Sequence, residues 1–565
     1  MINNAGYGVV YTPDSLSDYV AQLLVEEFKK DDLFINESTP LMVLDPACGE
    51  GSLLAASERA FSTIFHKKEA ISYIGIDIEK DVIKKNTSSY AGRNYIFYSK
   101  DTLLPQRGVD SVKYWKRHLI VPDLIIANPP WSSEKIYTRD ELSHSGYKFD
   151  VGQYDSYVLF LELCLKLLKP NGYAAFIIPD SIFSTENREL RKFLSENTQL
   201  LIISRLGEKL FPGVNRATTV LVVKNARPKT ASETVCFRLT TAQRRAYLKG
   251  EKTLIECHRQ QAHTVLQKRF TENVGYVFDI DTKIEDEKLL KKLGRDSINW
   301  PEIFHFGRGV EISKSGMIVI CPYCGTAQGF SKKQLADGTK KCTKCFQAIT
   351  VSKETAHKII VPHPIANGKE IYVGENIHRY ILSGSFYIEM DVPGINYKNQ
   401  KLYTPPKILI RKTGLGINAC IDYNGTYISQ TVYSCNYNDI ANPVPLEYYL
   451  GVLNSRVLYY YYLKMYGENE WKSHPYFTKD ILFSLPIPKI TNSNKGLANS
   501  IAQSVVELQK AYSRCADIRT EKLVTQLYGL TADEFNVIAQ CMNQLPDLGA
   551  INHMKIREGE LCLDI

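Results

Sequence analysis

Residues 41–51 read Leu-Met-Val-Leu-Asp-Pro-Ala-Cys-Gly-Glu-Gly. The four apolar residues at the start of this stretch predict a buried β-strand, and a helix is predicted to begin near Ser52. The glycines at positions 49 and 51 let the backbone between these two elements approach a ligand closely. Free N–H groups at a helix N-terminus can bind a carboxylate or a phosphate. The stretch therefore predicts a ligand-binding loop between a strand and a helix.

An acidic residue at the end of the next predicted strand adds a second part to this site. Asp77 follows the strand-like run at 73–76, 26 residues beyond Gly51. At that place an acidic side chain can accept hydrogen bonds from both hydroxyls of an adenosine ribose. The spacing alone would also fit NAD, but the loop lacks the Gly-x-Gly-x-x-Gly pattern that accommodates a pyrophosphate. Together the loop and Asp77 predict a nucleoside site.

Apolar runs alternate with helical periodicity over about the first 225 residues. Thr12-Pro13 predicts an N-cap and a first-turn proline for a helix that precedes the first strand. This alternation is typical of an α/β fold with a Rossmann-like sheet. Strands are predicted at residues 41–44, 73–76, 123–127, 173–178 and 218–223.

The segment Asn128-Pro129-Pro130-Trp131 follows the third predicted strand and indicates the chemistry. The exocyclic amine of a nucleobase is a poor nucleophile because its lone pair is delocalised into the ring. The Asn128 side-chain oxygen and the Pro129 carbonyl can accept its two hydrogens, which turns the lone pair toward an electrophile. Trp131 offers a flat face on which an extruded base can stack. The segment therefore predicts chemistry on the amine of a base.

These elements, in this order, resemble the gamma-class N6-adenine DNA methyltransferases of the TaqI-like kind found in restriction-modification systems. The resemblance is specific over residues 7–225 and includes Gly152-Gln153-Tyr154 and the run Leu210–Val214. It implies S-adenosylmethionine as cofactor, double-stranded DNA as substrate and extrusion of the target adenine from the duplex. It further implies that the cofactor-binding residues are Tyr11, Thr12, Pro13, Asp45, Ala47, Cys48, Gly49, Asp77, Ile78, Asp101, Thr102 and Asn128.

The resemblance also gives individual residues a role. Tyr11–Pro13 would flank the methionine end of the cofactor, Asp77 would bind the ribose and Asp101 the adenine amino group. Phe211 falls where the family places a second aromatic ring against the flipped base. Trp131 departs from the family, in which Tyr or Phe is commoner, but it preserves a stacking surface. The catalytic set is therefore predicted to be Asn128, Pro129, Pro130, Trp131 and Phe211.

The composition favours a folded protein of several domains. A chain of 565 residues should hold three or four folding units, and 44% hydrophobic and 23% charged residues are typical of soluble globular proteins. The net charge of +8 permits a polyanionic partner.

The N-terminus lacks a secretory pattern, and the apolar run at 448–463 carries Arg456, so this run predicts a packed helix and no membrane span. Thirteen cysteines, four of them in two C-x-x-C pairs, suit a reducing compartment, and we expect a cytoplasmic protein.

Shifts in composition predict the domain boundaries. The methyltransferase domain is predicted at residues 1–226, and the polar, weakly patterned stretch at 227–300 as a connecting segment. A target-recognition domain of mixed α/β structure is expected at 301–490. The apolar periodicity after residue 491 predicts a C-terminal helical segment at 491–565.

Two cysteine pairs, Cys321/Cys324 and Cys342/Cys345, are separated by seventeen residues. This spacing is what two knuckles around one tetrahedral zinc ion require, and four thiolates leave no open coordination position. The sequence therefore predicts a structural zinc ribbon, which we define as residues 313–358. The ribbon carries eight lysines against two acidic residues, so it could lie on phosphates or form an ordinary solvated surface.

The region beyond the ribbon carries a weaker signal. Residues 405–439 mix basic, amide and tyrosine side chains suited to base edges and to the DNA backbone. Residues 449–455, 485–488 and 522–531 resemble parts of TaqI-like specificity domains and their closing helices. Some relatives fuse a nuclease domain upstream, but only about ten residues precede Thr12. We therefore expect a chain that modifies DNA without cutting it, and the sequence leaves open whether a separately encoded restriction endonuclease is its partner.

Two other interpretations remain open. The Asn-Pro-Pro-aromatic motif also serves RNA and protein methyltransferases, although the long C-terminal part with its zinc ribbon favours duplex DNA. The chain could also be a catalytically idle DNA-binding regulatory protein. The intact set of Asp45–Gly51, Asp77 and Asn128–Trp131 argues against that interpretation. The sequence thus favours a site-specific DNA adenine-N6 methyltransferase.

Overall fold

The computed structural model describes residues 11–31, 41–63, 71–118, 120–131, 137–149, 155–212, 216–312, 315–439, 443–467, 476–557 and 560. The sequence features at 152–154 and 213–214 lie outside these described residues. The chain forms two compact units. The first unit comprises the chain up to Ile284 together with Met465–Gly467, and the rest of the described chain forms the second unit.

The first unit alternates strands and helices along the chain. Its elements are α1 (Asp14–Lys29), β1 (Leu41–Asp45), α2 (Ser52–Ser62), β2 (Ile71–Asp77), α3 (Lys80–Ser89), β3 (Tyr95–Ser99), α4 (Ser111–Arg117), β4 (Leu124–Ala127), α5 (Arg139–Leu142), α6 (Ser156–Leu167), β5 (Tyr173–Pro179), α7 (Arg188–Asn197), β6 (Gln199–Gly207), β7 (Thr218–Lys224), β8 (Glu233–Arg238), α8 (Thr241–Leu248), α9 (Leu254–Gln261), β9 (His263–Leu266) and α10 (Lys268–Glu272).

The strands of the first unit form one mixed sheet in the order β3-β2-β1-β4-β5-β7-β6-β8-β9. The strands from β3 to β5 run parallel, whereas β7 is antiparallel to both β5 and β6. Every residue of β4 and β5 is buried, because helices cover both faces of a parallel sheet. The predicted α/β class and the five predicted strands are confirmed as β1, β2, β4, β5 and β7.

The sheet continues beyond residue 226, where the sequence predicts a connecting segment. Strand β8 pairs parallel to β6, and β9 pairs antiparallel to β8 at the sheet edge. Both strands are short and partly exposed, so they lack the continuous apolar runs that mark the central strands. The first unit therefore extends to Ile284, some 60 residues past the predicted boundary.

Helix α1 begins one residue later than the sequence pattern predicts. Pro13 is the residue that precedes the helix, and its carbonyl accepts hydrogen bonds from the N–H groups of Leu16 (3.0 Å) and Ser17 (2.9 Å). No side chain caps this helix. The predicted N-cap role of Thr12 is therefore wrong, because Pro13 occupies the N-cap position and Thr12 is left outside the helix.

The second unit contains short strands followed by helices. Its elements are α11 (Glu287–Leu293), α12 (Trp300–Ile303), β10 (Phe304–Arg308), β11 (Met317–Ile320), β12 (Ala327–Gly329), α13 (Lys332–Ala336), β13 (Thr339–Lys341), β14 (Ala348–Thr350), β15 (Ala356–Lys358), β16 (Ile360–Val361), β17 (Gly368–Tyr372), β18 (Phe386–Glu389), β19 (Lys407–Arg411), β20 (Ala419–Asp422), β21 (Tyr427–Ile428), β22 (Val432–Tyr437), α14 (Leu446–Leu453), α15 (Arg456–Tyr466), α16 (Lys479–Ser484), α17 (Lys495–Lys510), α18 (Arg514–Leu527) and α19 (Ala532–Asn543).

Two four-stranded sheets, β10-β22-β19-β20 and β16-β18-β17-β21, form the body of the second unit. The ribbon adds the small sheets β12-β11-β15 and β13-β14. Helix α14 packs closely on α17 at Gly451, where a Cβ atom would lie 2.6 Å from the Ile501 side chain. The helices after residue 491 thus belong to the same compact unit as the predicted target-recognition domain.

The tyrosine-rich run at 448–463 forms two helices, α14 and α15, which meet at Asn454-Ser455. Arg456 is completely buried at the start of α15. Within the part of the chain that the structure describes, no helix combines the length and the apolar character needed to cross a bilayer.

Candidate active site

A cavity of about 320 Å³ opens at the carboxyl ends of β1, β2 and β4 in the first unit. Ligands of open α/β sheets bind at this edge, where loops from neighbouring strands converge. Of the cofactor and catalytic residues predicted from the sequence, only Pro13 does not line this cavity. The cavity brings together Tyr11, Thr12, Asp45, Ala47, Cys48, Gly49, Asp77, Ile78, Asp101, Thr102, Asn128, Pro129, Pro130, Trp131 and Phe211.

The conformation of the loop after β1 is stabilised by hydrogen bonds between its backbone and two side chains. The Gly49 N–H donates to Asp77 Oδ2 (2.8 Å), and Asn86 Nδ2 donates to the Gly49 carbonyl (2.7 Å). Gly51 has a φ of +83°, a conformation that favours glycine and directs the chain into α2. Asp77 therefore fixes the loop through one oxygen, and its carboxylate retains capacity to accept ribose hydroxyls.

Gly75 in β2 lets the loop approach the sheet. A Cβ atom at this position would lie 2.8 Å from the Cys48 sulfur and 2.7 Å from the Phe97 ring. Burial raises the pKa of the Cys48 thiol well above its usual value. Cys48 therefore lines the cavity as a neutral, packed side chain.

Asp45 is a buried carboxyl group with incomplete hydrogen bonding. Its side chain belongs to a residue that is only 1% exposed, and Oδ1 accepts the Ala47 N–H at 3.0 Å. Among the described residues, none donates a hydrogen bond to Oδ2. Burial raises the pKa of Asp45 to about 8, which the Ala47 hydrogen bond opposes and the charge on Asp77 reinforces. A cationic donor in the cavity would relieve this unfavourable state.

The unpartnered oxygen of Asp45 indicates whether the residues of the cavity fit S-adenosylmethionine. That molecule carries an ammonium and a carboxylate at its methionine end, a nucleoside at the other end, and a sulfonium cation that joins the two. The unpartnered oxygen of Asp45 suits a cation, and Asp77 lies at the end of the neighbouring strand β2. The carboxyl groups of the cavity therefore fit the cofactor that the sequence implies.

Asp101 is held by three hydrogen bonds from the chain. Its Oδ1 accepts the N–H groups of Leu103 and Leu104, both at 3.0 Å. Its Oδ2 accepts the Tyr137 hydroxyl at 2.7 Å. Tyr137 also lines the cavity, and sequence reasoning missed it. The predicted contact of Asp101 with an adenine amino group remains a prediction.

Other lining residues were also missed, among them Leu103, Glu141 and Phe160. Thr138 and Glu141 form a capping box at the start of α5, which a Thr-x-x-Glu pattern could have indicated. The pattern marks a helix start, but it does not tell which surface that helix covers. The position of Glu141 beside the cavity is therefore a tertiary property.

The Asn128–Trp131 loop is fixed from several sides. Asn128 Nδ2 donates to the Thr12 hydroxyl at 3.0 Å. Ser156 donates to the Pro130 carbonyl. Arg216 Nη1 donates to the Trp131 carbonyl at 2.6 Å. Neither Ser156 nor Arg216 was singled out from the sequence.

Arg216 is itself oriented by a carboxylate. Its Nη2 lies 2.6 Å from Asp155 Oδ2, and its guanidinium lies 5.9 Å from the centre of the Trp131 ring. In the described structure no group donates to the Pro129 carbonyl, in contrast to those of Pro130 and Trp131. Ser156 and Arg216 thus bind the carbonyl groups of Pro130 and Trp131. The Pro129 carbonyl oxygen stays available for a ligand.

Trp131 and Phe211 form an aromatic pair at the same cavity. Their ring centres lie 5.4 Å apart with an interplanar angle of 85°. The indole Nε1 donates to the Ile177 carbonyl at 3.3 Å. Two rings from sequence-distant segments therefore converge in the cavity that Asn128 also lines.

A separate cluster lies in the ribbon of the second unit. The sulfur atoms of Cys321, Cys324, Cys342 and Cys345 all lie within 4.8 Å of one another. The Cys321–Cys345 and Cys324–Cys342 sulfur distances are 3.5 and 3.7 Å. Four thiolates around one zinc at about 2.3 Å would lie about 3.8 Å apart, whereas a disulfide needs about 2.0 Å. The geometry suits a shared metal and not disulfides.

Comparison with known proteins agrees with the two-part architecture. Residues 2–291 match the N-6 DNA Methylase family, and residues 369–487 match the TaqI-like C-terminal specificity domain. The type II methyltransferase M.BanIII of Aneurinibacillus aneurinilyticus is 31% identical over 227 residues, which cover 38% of each protein. The type II methyltransferase M.VspI of Vibrio sp. (strain 343) is 23% identical over 273 residues, 45% of this chain and 64% of the relative. The matches thus span less than two thirds of these relatives.

Solved structures show a similar fold over most of the chain. A nuclease-deletion mutant of the type ISP restriction-modification enzyme LlaGI, in complex with a DNA substrate mimic, superimposes with a TM-score of 0.52 and 13% identity. The similarity covers 89% of this chain and 55% of that one. At this identity it shows the fold alone. Because one family matches more than half of the sequence, the chain belongs to the N-6 DNA Methylase family and carries a TaqI-like C-terminal specificity domain.

Proposed function

We propose that the protein is a site-specific DNA methyltransferase that transfers a methyl group from S-adenosylmethionine to the N6 amine of adenine in double-stranded DNA. The observation that carries this proposal is the single cavity that collects Asp45, Asp77 and the Asn128–Trp131 loop. One of these loops suits a cofactor and the other suits the amine of a base. Transfer of a group from the cofactor to the base is the simplest function that explains why both line one cavity. The family match supports the choice of adenine N6.

The cofactor would be held by Asp45, Asp77 and Asp101, which line one side of the cavity. When bound, S-adenosylmethionine supplies an electrophilic methyl group. Asp45 is suited to its cationic end, because Oδ2 is buried and accepts no hydrogen bond within the described structure. Asp77 is suited to the ribose hydroxyls because it ends β2 at the same edge of the sheet.

The amine of the target base would be oriented by Asn128 and Pro129. The Asn128 oxygen and the Pro129 carbonyl accept its two hydrogens, so that the nitrogen lone pair becomes available to the methyl group. Thr12, Ser156 and Arg216 keep these acceptors in place before the substrate arrives. Such preorganisation lowers the cost of reaching the transition state.

Trp131 and Phe211 would hold the ring of an adenine that has left the duplex. Unstacking a base costs a few kcal/mol, and stacking on an aromatic side chain recovers about 1–3 kcal/mol. Both rings line the cavity that Asn128 also lines, which supports a role for them in holding the base. Base extrusion is therefore part of the proposal.

The test is to incubate the purified protein with isotope-labelled S-adenosylmethionine and genomic DNA, and to identify the methylated nucleoside by mass spectrometry. We expect N6-methyladenine from the wild type. Asn128→Ala should lower kcat by about 100-fold or more, because an acceptor used in the transition state is lost. Binding of S-adenosylmethionine by this variant, measured by calorimetry, should persist. Asn128→Asp keeps an acceptor oxygen and should retain more activity than Asn128→Ala.

Parallel reactions with RNA and with protein substrates separate the alternatives. Methylation of RNA or protein without methylation of DNA would replace the proposed substrate. Methylation of cytosine would leave DNA as the substrate but would overturn adenine. Binding of DNA without any transfer would support a regulatory protein.

A structural zinc ion in the ribbon is a further part of the proposal. The four cysteine sulfurs converge at the spacing that a tetrahedral site requires. Four thiolates complete the coordination shell, so no metal-bound water would take part in chemistry. The small ribbon sheets enclose few apolar side chains, and a bound metal would supply the missing stability.

Metal analysis should find about one zinc ion per chain. Cys321→Ser and Cys342→Ser should release the metal and weaken DNA binding, while S-adenosylmethionine binding survives. Cys515→Ser, at an exposed cysteine outside the ribbon, is the matched control and should keep the metal. A wild-type protein without metal, or cysteine variants that bind and methylate DNA normally, would contradict the zinc site.

A further inference from the structure

Two aromatic side chains of the ribbon are exposed to solvent. Tyr323 and Phe346 each expose 67% of their surface, the highest values among the described tyrosine and phenylalanine residues. Tyr323 lies inside the first cysteine knuckle, and Phe346 directly follows the second. Because the four cysteine sulfurs converge within 4.8 Å, the two knuckles that carry these rings are neighbours.

The ribbon has a small core that these rings do not join. Val319, Ile349 and Val351 are buried with two of the cysteines, and Phe330 and Leu335 pack against them. The ribbon therefore buries other apolar side chains while Tyr323 and Phe346 remain outside. Exposed aromatic rings on neighbouring knuckles are a common feature of recognition surfaces.

The surface around the rings is strongly basic. The exposed lysines of the ribbon are Lys332, Lys333, Lys341, Lys344, Lys353 and Lys358. None of them forms an ion pair within the described structure, and the acidic residues of the described ribbon are Asp337 and Glu354. Lys341 Nζ lies 5.6 Å from the centre of the Phe346 ring. A ligand that satisfies this surface must combine negative charge with flat apolar faces.

Neither family match explains this element. The two matches end at residue 291 and resume at residue 369, so the ribbon lies between them. The ribbon therefore lies outside both matched regions. The ligand of its surface is therefore inferred from the side chains that the ribbon exposes.

We propose that the ribbon is a second DNA-binding element, in which the lysines contact phosphates and Tyr323 and Phe346 contact sugars or the faces of bases that have left the stack. This proposal rests on the proposed function, since it takes DNA as the ligand. Phosphates match the lysines, and an aromatic ring can stack on an unstacked base of any sequence because every base has a flat face. The ribbon would thus add affinity without adding sequence specificity.

Salt dependence tests the lysines. The probe is a fluorescein-labelled DNA duplex of random sequence, titrated with the intact, zinc-loaded protein at several salt concentrations. Lys341→Ala combined with Lys344→Ala should weaken binding and make the slope of log K against log salt shallower by about 2. The matched control is Lys495→Ala combined with Lys510→Ala at the two ends of α17, which removes the same charge and should leave the slope unchanged.

Ring substitutions test the aromatic contacts. Phe346→Ala and Tyr323→Ala should each lower the affinity for the same duplex carrying a short single-stranded gap by about 5- to 100-fold. The salt slope should stay at the wild-type value, because no charge is removed. Phe346→Tyr keeps a flat ring and should bind like the wild type. Metal content, measured for each variant, excludes loss of the ribbon as the cause.

The outcomes distinguish this inference from the proposed function. If the wild type methylates DNA and the lysine and ring variants bind the duplex normally, the inference is wrong and the proposed function stands. The same conclusion holds if these variants lose only the association with another protein. If the wild type binds no DNA at all, both proposals fail. Weakened binding with a changed salt slope for the lysines alone would overturn the role of the rings.

Discussion

Asp45 in the first unit and Asp517 in the second are both buried carboxyl groups, with relative exposures of 1% and 0%. Burial raises the pKa of Asp45 to about 8. Burial also disfavours ionisation of Asp517, but the charges of Arg379 and Arg456 outweigh it and lower its pKa to about 2. At neutral pH the aspartate side chain is therefore a neutral acid at position 45 and an anion at position 517.

The difference arises from what the chain places beside each carboxyl group. Arg456 Nη2 lies 2.9 Å from Asp517 Oδ2, and Arg456 Nη1 lies 3.0 Å from Glu521 Oε2. Arg379 Nη1 lies 2.5 Å from Asp517 Oδ1 without hydrogen-bond alignment, so this contact is electrostatic. Among the described residues, none supplies such a counter-charge at Asp45 Oδ2. A buried charge whose partner is supplied by the chain supports the fold, whereas one without a partner indicates a ligand.

The largest expected effect follows from removing the anion of the second unit. Asp517→Asn keeps the size of the side chain but leaves Arg379 and Arg456 with less counter-charge, and should cost about 3–5 kcal/mol of unfolding free energy. Urea denaturation followed by circular dichroism measures it. The control Asp480→Asn, at an exposed position, should change stability by less than about 0.5 kcal/mol. Equal effects of the two substitutions would contradict the role of the cluster.

The matching change in the first unit should affect binding and not folding. Asp45→Asn should lower the affinity for S-adenosylmethionine by about 10- to 100-fold, because a charge-assisted contact is lost. Stability without cofactor at pH 7 should not fall, since the wild-type carboxyl is already neutral below its pKa of about 8. Calorimetry measures the affinity, and Asp18→Asn on the exposed face of α1 is the control. An unchanged affinity for the cofactor would remove Asp45 from the binding site.

Acid should destabilise the second unit through Asp517. Its folded pKa of about 2 lies below the ordinary value of 3.8, so its contribution is complete above pH 3.8 and is lost as the pH falls through 2. The contribution amounts to about 2 kcal/mol. Comparing the acid dependence of unfolding in the wild type and in Asp517→Asn isolates it, because the other carboxyl groups are common to both. Parallel curves for the two proteins would show that Asp517 is not the titrating group.

The smallest effect concerns the pH dependence of cofactor affinity. Asp45 has to ionise to bind a cation, so the affinity should rise by up to about tenfold per pH unit toward a maximum near pH 8. Above that pH the α-amino group of the ligand, with an ordinary pKa of about 7.7–8.0, loses its proton and the affinity falls. Asp45→Asn should abolish the rise and keep the fall. A wild-type profile without the rise would mean that Asp45 does not pair with a cation.

Local sequence was sufficient for the central strands and for the loops that follow them. The runs that became β1, β4 and β5 are continuous and apolar because both faces of these strands are buried. The edge strands β8 and β9 are partly exposed and depend on pairing with distant residues, so the stretch at 227–300 gave no clear pattern. The first domain was therefore predicted too short.

Motifs at strand ends could be assembled into one site because the carboxyl ends of parallel strands meet at one edge of a sheet. This rule brings Asp45, Asp77 and Asn128 together without coordinates. The rule does not predict the roles of Tyr137, Ser156 or Arg216, because no motif marks these three residues as hydrogen-bond donors to the site.

The sequence by itself determined the order of the catalytic elements, the cysteine spacing and the fold class, because each depends on residues that are close along the chain. Only the tertiary structure decided the ionisation states of Asp45 and Asp517, since these depend on which charges the folded chain brings within a few ångströms. The same holds for Arg456, which the sequence places in an apolar run and the fold buries completely against Asp517 and Glu521. Burial and charge pairing are properties of the packed molecule, and no local pattern encodes them.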